Sequence, residues 1–224
     1  MFAKETNMTV TRLKTALGAS VIAAVALLAP TTARATVIGN AYFVPEAEAQ
    51  NAVIGFAHGA PNATFTAPTP LSFTNAGGST LGAFLASGGA FGITATAADL
   101  ARVLDNGTSG TMFDFTGTVT VTTSQTFTVT HDDGLQLQVG ALLVINQPGP
   151  TGPVTQTFTY TGPSGNLPFE LVYGECCGGA AVLNISLPLV TEPGPSVPEP
   201  SSLALLSAGL VGLGVALSRL RKTG

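Results

Sequence analysis

Tryptophan is absent from this sequence, and cysteine and histidine occur only twice each. The cysteines, Cys176 and Cys177, are neighbours, so no Cys-x-x-Cys pair exists to hold a structural zinc ion. Three states stay open for them: a vicinal disulfide, pairing with another chain, or two buried thiols. The histidines are His58 and His131. His131 shares strand parity with Phe127 and Val129, which reads as an inward, hydrogen-bonded histidine rather than a general base. No Gly-x-Ser-x-Gly elbow accompanies either one, so serine-triad chemistry lacks its parts. Glu170 and Glu175 are the pair that would imitate a glycosidase, but loop carboxylates are common. The expectation is a protein that is not an enzyme, with no catalytic residue.

Basic charge is scarce as well. Between residues 36 and 196 the acids Glu46, Glu48, Asp99, Asp105, Asp114, Asp132, Asp133, Glu170, Glu175 and Glu192 face only Arg102. Such a surface repels phosphate backbones, which argues against nucleic acid as a partner. It tolerates divalent cations and neutral glycans. With 9% charged residues overall, packing rather than ion pairing has to hold the fold.

The remaining basic residues belong to the two ends. Lys4, Arg12 and Lys14 precede an alanine-rich apolar run at 16–29, and Ala33-Arg34-Ala35 gives a small-x-small cleavage pattern. Residues 1–35 therefore read as a secretory signal peptide, with Met8 as a second usable start and a mature body from about Thr36. At the other end, a proline-rich linker spans 191–200 and closes in Val197-Pro198-Glu199-Pro200. Residues 201–217 are apolar and glycine-dotted, and as a helix would reach roughly 25 Å, a slightly short transmembrane span. Arg219, Arg221 and Lys222 follow, and a basic cluster behind a span stays cytoplasmic, leaving the body outside.

Between these ends lies enough chain for one domain with its own core, residues 36–190. Residues 36–59 are alanine-rich and read as carrying an arm or a first strand around 53–56. Phe65, Leu71 and Phe73 fall between Pro61, Pro68 and Pro70 and read as short edge strands. Residues 97–104 carry one short helix or an irregular loop. The second half is clearer. Short alternating runs centre on 112–115, 119–121, 127–129, 135–139, 142–145, 154–160, 169–173 and 181–187, punctuated by glycine and proline. That pattern predicts an all-β, antiparallel β-sandwich or barrel.

The chemistry-bearing stretch is His131-Asp132-Asp133-Gly134, a tight corner between the runs 126–130 and 135–139. As a turn it needs no function: Gly134 supplies positive φ and the aspartates bond nearby amides. Two adjacent carboxylates at a strand end are also the start of a site for a hard cation such as calcium.

Two resemblances sharpen this picture. Pro-Glu-Pro at 198–200, an apolar span and the Arg219, Arg221 and Lys222 cluster resemble the PEP-CTERM sorting signal over residues 197–222. That resemblance implies recognition and cleavage by an exosortase-type protease, transient membrane anchoring, and delivery to the cell envelope or extracellular matrix. The body, most strongly over 111–188, resembles the β-sandwich module of anthrax protective antigen, flocculin-type adhesins and bacterial glycosidases. The residues that carry it are Thr116-Gly117, His131-Asp132-Asp133-Gly134-Leu135-x-Leu137, Phe169-Glu170-Leu171-x-Tyr173-Gly174-Glu175 and Ala181-x-Leu183. It implies a lectin-like, jelly-roll type sandwich. In the adhesin branch the paired aspartates bind calcium through a cis peptide, and the ion holds sugar hydroxyls. Carried over, Asp132 and Asp133 are the metal ligands, with Asn146 as the third. Two features depart from the module: Val139 stands before Gly140 where Asp or Asn is usual, and no tryptophan exists to stack on a sugar. The functional expectation is an exported, calcium-dependent module for a glycan or exopolysaccharide. Its alternative is a structural constituent of a biofilm matrix with no specific ligand.

Overall fold

A computed structural model describes residues 36–56 and 59–190. The expected signal peptide, the linker and sorting motif at 191–200, the C-terminal span and His58 lie outside them. Among the described residues, no helix is long and apolar enough to cross a membrane.

The chain forms two antiparallel sheets packed face to face. The strands are β1 (Thr36–Pro45), β2 (Ala63–Pro68), β3 (Leu71–Asn75), β4 (Phe91–Ala95), β5 (Ser109–Val121), β6 (Thr126–Asp132) and β7 (Leu135–Val139), followed by β8 (Leu142–Gln147), β9 (Val154–Thr159), β10 (Gly165–Glu175), β11 (Ala181–Ile185) and β12 (Leu189–Val190). Three short helices interrupt them: α1 (Glu46–Ala49), α2 (Leu81–Ser87) and α3 (Ala97–Ala101). The larger sheet runs β4-β2-β1-β5-β10-β7-β8, with β12 also on β5; the smaller runs β3-β11-β6-β9. This is the expected all-β sandwich.

Alternation places the core. In β10, Phe169, Leu171 and Tyr173 point between the sheets, while Glu170 and Val172 point the other way. Phe73, Phe84, Phe113, Phe115 and Tyr173 form a continuous ring cluster at the centre, with centroids 5.0–6.4 Å apart. Helix α2 closes one side of it. Thr80 caps its start by accepting from the Ala83 amide (3.2 Å), and Leu81, Phe84 and Leu85 are buried on its inner face.

The first half departs from its sequence reading. The opening strand lies at 36–45, not 53–56, and it is central, paired with β2 on one side and β5 on the other. Small residues hid it: at Gly39 there is no room for a Cβ, because the Phe65 ring lies against the backbone. β2 is interior too, with Pro68 as its last residue, whereas β3 is an edge strand as expected. Residues 45–56 instead cross the outer face of the large sheet. Ala49 and Ala52 bury there against Met112, Val172 and Cys176. The Ile54 amide donates to Gln136 Oε1 (2.8 Å) and the Gly55 amide to Glu170 Oε1 (2.7 Å). The inner core and this outer layer together bury the middle of the large sheet on both sides, which fixes the strand ends where the site lies.

Candidate functional site

β6 ends at Asp132 and β7 starts at Leu135, so Asp133 and Gly134 make the corner. The Asp132–Asp133 peptide bond is cis. Both aspartates are 3% exposed, yet both reach the floor of an open cleft of about 390 Å³. One wall is the loop from Pro150 to Pro153, the other the turn from Cys177 to Ala180.

Asp133 is held by both oxygens. Oδ1 accepts from the Thr151 amide (3.1 Å) and Oδ2 from the Cys176 amide (2.9 Å), one from each wall. Burial nevertheless pushes its carboxyl up, against the pull of those two amides. Asp132 is pushed up to about 6, first by burial and then by the Asp133 charge beside it. Two like charges with few counter-charges need a cation to ionise together cheaply.

His131 is buried, as its parity suggested. Its Nδ1–H donates to the Asp133 carbonyl (2.5 Å), and Nε2 lies 2.8 Å from the Gln147 side-chain amide, so both ring nitrogens have partners. Below the corner, the Tyr173 hydroxyl sits between the Asp132 carbonyl and Glu175 Oε2, the latter 2.7 Å away. One phenolic proton cannot serve two acceptors. The Tyr173 hydroxyl is placed to donate to either one, the Asp132 carbonyl or Glu175 Oε2. Burial drives Glu175 up to about 8; the Tyr173 hydrogen bond opposes this, and the charges of Asp133, Asp132 and Asp105 add to it.

These raised carboxyls fix the pH dependence of the ligand-free protein. Glu175, Asp132 and Asp114 have folded values of about 8, 6 and 6, all above their ordinary ones. The folded state therefore binds protons more tightly than the unfolded chain. Their stabilising contribution is full below about pH 4 and is lost as pH rises through 6 and 8. In chelator, thermal unfolding at pH 5 should occur roughly 5 °C above that at pH 8. A Tm that is flat or rises over that range contradicts the assignment.

Not every expected site residue is brought in. Asn146 is absent from the cleft: it stands on β8 opposite Gln136, with its Oδ1 accepting from Gln136 Nε2 (2.6 Å). Strand pairing, rather than the loop position assumed for it, determines where it points. Gly134 does not adopt positive φ; it is required because the Pro148 carbonyl packs against its Cα. Glu170 and Glu175 lie on opposite faces of the large sheet, Glu170 accepting from Gly55 outside and Glu175 bonded to Tyr173 inside, so they do not converge as a glycosidase pair.

Three further acidic groups lie near the cleft, of which the sequence shows Glu46 and Asp105 only as surface charge. Glu46 Oε1 accepts from the Cys177 amide (2.9 Å), and Asp105 Oδ2 from the Gly178 amide (2.6 Å). Glu175 is inward, and the sequence signal for that was available: it shares parity with Phe169, Leu171 and Tyr173. Cys176 and Cys177 are joined in a vicinal disulfide. Their sulfurs and a Glu46 oxygen lie within 4.8 Å of one another. The disulfide removes both thiolates, so this trio is not a soft-metal site.

The donors at the corner are all oxygens, and the set is hard, anionic and open on the solvent side. Those properties fit a calcium-like ion, which takes six to eight oxygens and accepts water or a ligand in part of its shell.

Fold and site together define an all-β antiparallel sandwich with an acidic cleft at one strand corner. Residues 196–222 match the PEP-CTERM protein-sorting motif, which marks the chain for export and sorting to the cell envelope. No curated protein sequence matches the chain. Among solved structures, it is similar to a PA14 sugar-binding domain from an RTX adhesin, with 21% identity and a TM-score of 0.49 over 69% of this chain and 91% of that one. The PA14 domain of the MpAFP antifreeze protein is also similar, at 16% identity and a TM-score of 0.46 over 75% and 98% of the two chains.

Proposed function

We propose that the exported body is a non-catalytic glycan-binding module in which Asp132 and Asp133 hold a calcium ion. Two carboxylates on the floor of an open cleft, one of them oriented by amides from both walls, carry this reading. Calcium bound there would neutralise the pair and present free coordination positions to vicinal sugar hydroxyls. Asp133 would orient the ion, Asp132 would supply the second charge, and the two wall loops would exclude competing water. The acidic surface favours an uncharged exopolysaccharide over an anionic one. Export places the module where such polymers are, and the sorting motif supports processing by an exosortase-type protease at the membrane, with Arg219, Arg221 and Lys222 on the cytoplasmic side until cleavage.

Retention on an immobilised neutral exopolysaccharide, in calcium and then in chelator, tests the proposal. Binding in calcium that is eluted by chelator is the expected result. Passage through the column under both conditions would instead favour the matrix-constituent reading.

A further inference from the structure

The wall opposite the proline loop is an unusual piece of backbone. Cys176 is fully buried and Cys177 is exposed, so the disulfide between them spans from the outer core layer to the cleft. Cys177 holds φ at +65°, a left-handed conformation disfavoured for a residue with a side chain, and Gly178 follows at +75°. This turn aims three successive amides at three carboxylates. Cys176 donates to Asp133 (2.9 Å), Cys177 to Glu46 (2.9 Å) and Gly178 to Asp105 (2.6 Å). Those acceptors come from three separate segments: the β6–β7 corner, α1, and the loop between α3 and β5. A covalent ring closed across the Cys176–Cys177 peptide restricts the turn that gathers them.

We propose that the Cys176–Cys177 disulfide is a redox-sensitive positioning element of the cleft, whose reduction frees the Asp133 carboxylate and weakens cation binding there. The proposal rests on the calcium reading for its ligand. A disulfide forms readily in an exported protein, and one of its two residues, Cys177, is exposed on the side an external reductant would approach. With a phosphine, the sulfur–sulfur bond breaks, the phosphorus takes the oxygen of one water molecule and leaves as phosphine oxide, and the two hydrogens of that water end on the two sulfurs. Without the ring, Cys177 returns to ordinary φ and the Cys176 amide no longer points at Asp133. Positioning of this kind around a metal ligand typically governs affinity by about 10–100-fold.

The test uses the full chain in detergent, oxidised, phosphine-reduced and re-oxidised. Two quantities are read on each: calcium affinity by calorimetry, and amide hydrogen exchange at Cys176, Cys177 and Gly178. Reduction should lower calcium affinity at least tenfold and expose the three amides to exchange, with both effects reversed on re-oxidation. Cys176→Ser with Cys177→Ser should be weak and indifferent to phosphine. Exchange unaltered by reduction overturns the proposal whatever calcium does. Faster exchange with unchanged calcium affinity overturns it too, because the turn would then be structural only. Should the oxidised protein bind no calcium at all, the calcium reading falls and takes this coupling with it, while the exchange data still report whether the disulfide holds the turn.

Discussion

Asp132→Asn is expected to erase the response of the protein to calcium while leaving its ligand-free stability intact. At a calcium concentration near 100 times the dissociation constant, binding adds about 2.7 kcal/mol to the native protein. For a domain of this size that raises Tm by roughly 5–10 °C. Asp132 is the cleaner position to change, because its carboxylate contributes charge while Asp133 also anchors backbone. Losing the Asp132 charge relieves the repulsion that, after burial, raises its own carboxyl. The ligand-free Tm at neutral pH should therefore stay level or rise slightly. Asp133→Asn makes the contrast. An amide side chain offers one acceptor where the carboxylate offered two, so either the Thr151 or the Cys176 amide loses its partner. A buried amide left unpaired costs about 1–3 kcal/mol. Asp133→Asn should then lower Tm without ligand as well as abolish the calcium shift. Thermal unfolding of both variants, each with calcium and with chelator, separates the two roles. A calcium shift that survives in Asp132→Asn removes that residue from the site.

What could be read from the chain and what could not follow from how each residue is constrained. β6, β7, β10 and β11 have one face in the core, so Phe127, Val129, Leu135, Leu137, Phe169, Leu171, Tyr173, Ala181 and Leu183 recur with period two and were legible. The sorting motif at 196–222 was legible because it acts as sequence. β1 was not, because its neighbours are large: Phe65 fills the space above Gly39, and the strand contributes Val37 and Ala41 where a typical core strand shows bulkier groups. The cover formed by 45–56 was also hidden, since its alanines look like linker composition until Met112 and Val172 are seen beneath them. At the site, the buried histidine could be located from strand parity, and the acidic pair from its place at the corner between two alternating runs. Asn146 could not, because its placement depends on which residue of β7 it pairs with. Likewise, the convergence of Glu46 and Asp105 on the disulfide turn is a contact between segments far apart in sequence, which no local pattern records.

The sandwich thus holds its acidic corner from several directions at once, and that makes the corner glycine sensitive. Gly134→Ala is expected to destabilise the protein by about 3 kcal/mol. A Cβ there would lie 2.7 Å from the Pro148 carbonyl carbon and closer still to its oxygen, with Ala52 Cβ at 3.3 Å. Neither neighbour can withdraw easily. The Pro148 oxygen accepts from the Ala52 amide (3.0 Å), and the Gly134 carbonyl accepts from the Gly174 amide (2.9 Å). Relief therefore requires moving β7, the segment over β10 or the loop after β8, each tied to hydrogen bonds that would lengthen. For this size of domain the loss corresponds to a fall in Tm of roughly 6–12 °C. Gly149→Ala, in the same loop as Pro148, meets nothing within 4 Å and has no left-handed φ. It should stay within about 0.5 kcal/mol of the parent. Because Asp133 adjoins Gly134 and is held by the Thr151 and Cys176 amides, Gly134→Ala should also weaken calcium binding, whereas Gly149→Ala should not. Equal stability of the two variants in thermal or denaturant unfolding would mean that the corner has room to move, and that the rigidity assigned to the aspartate pair comes from elsewhere.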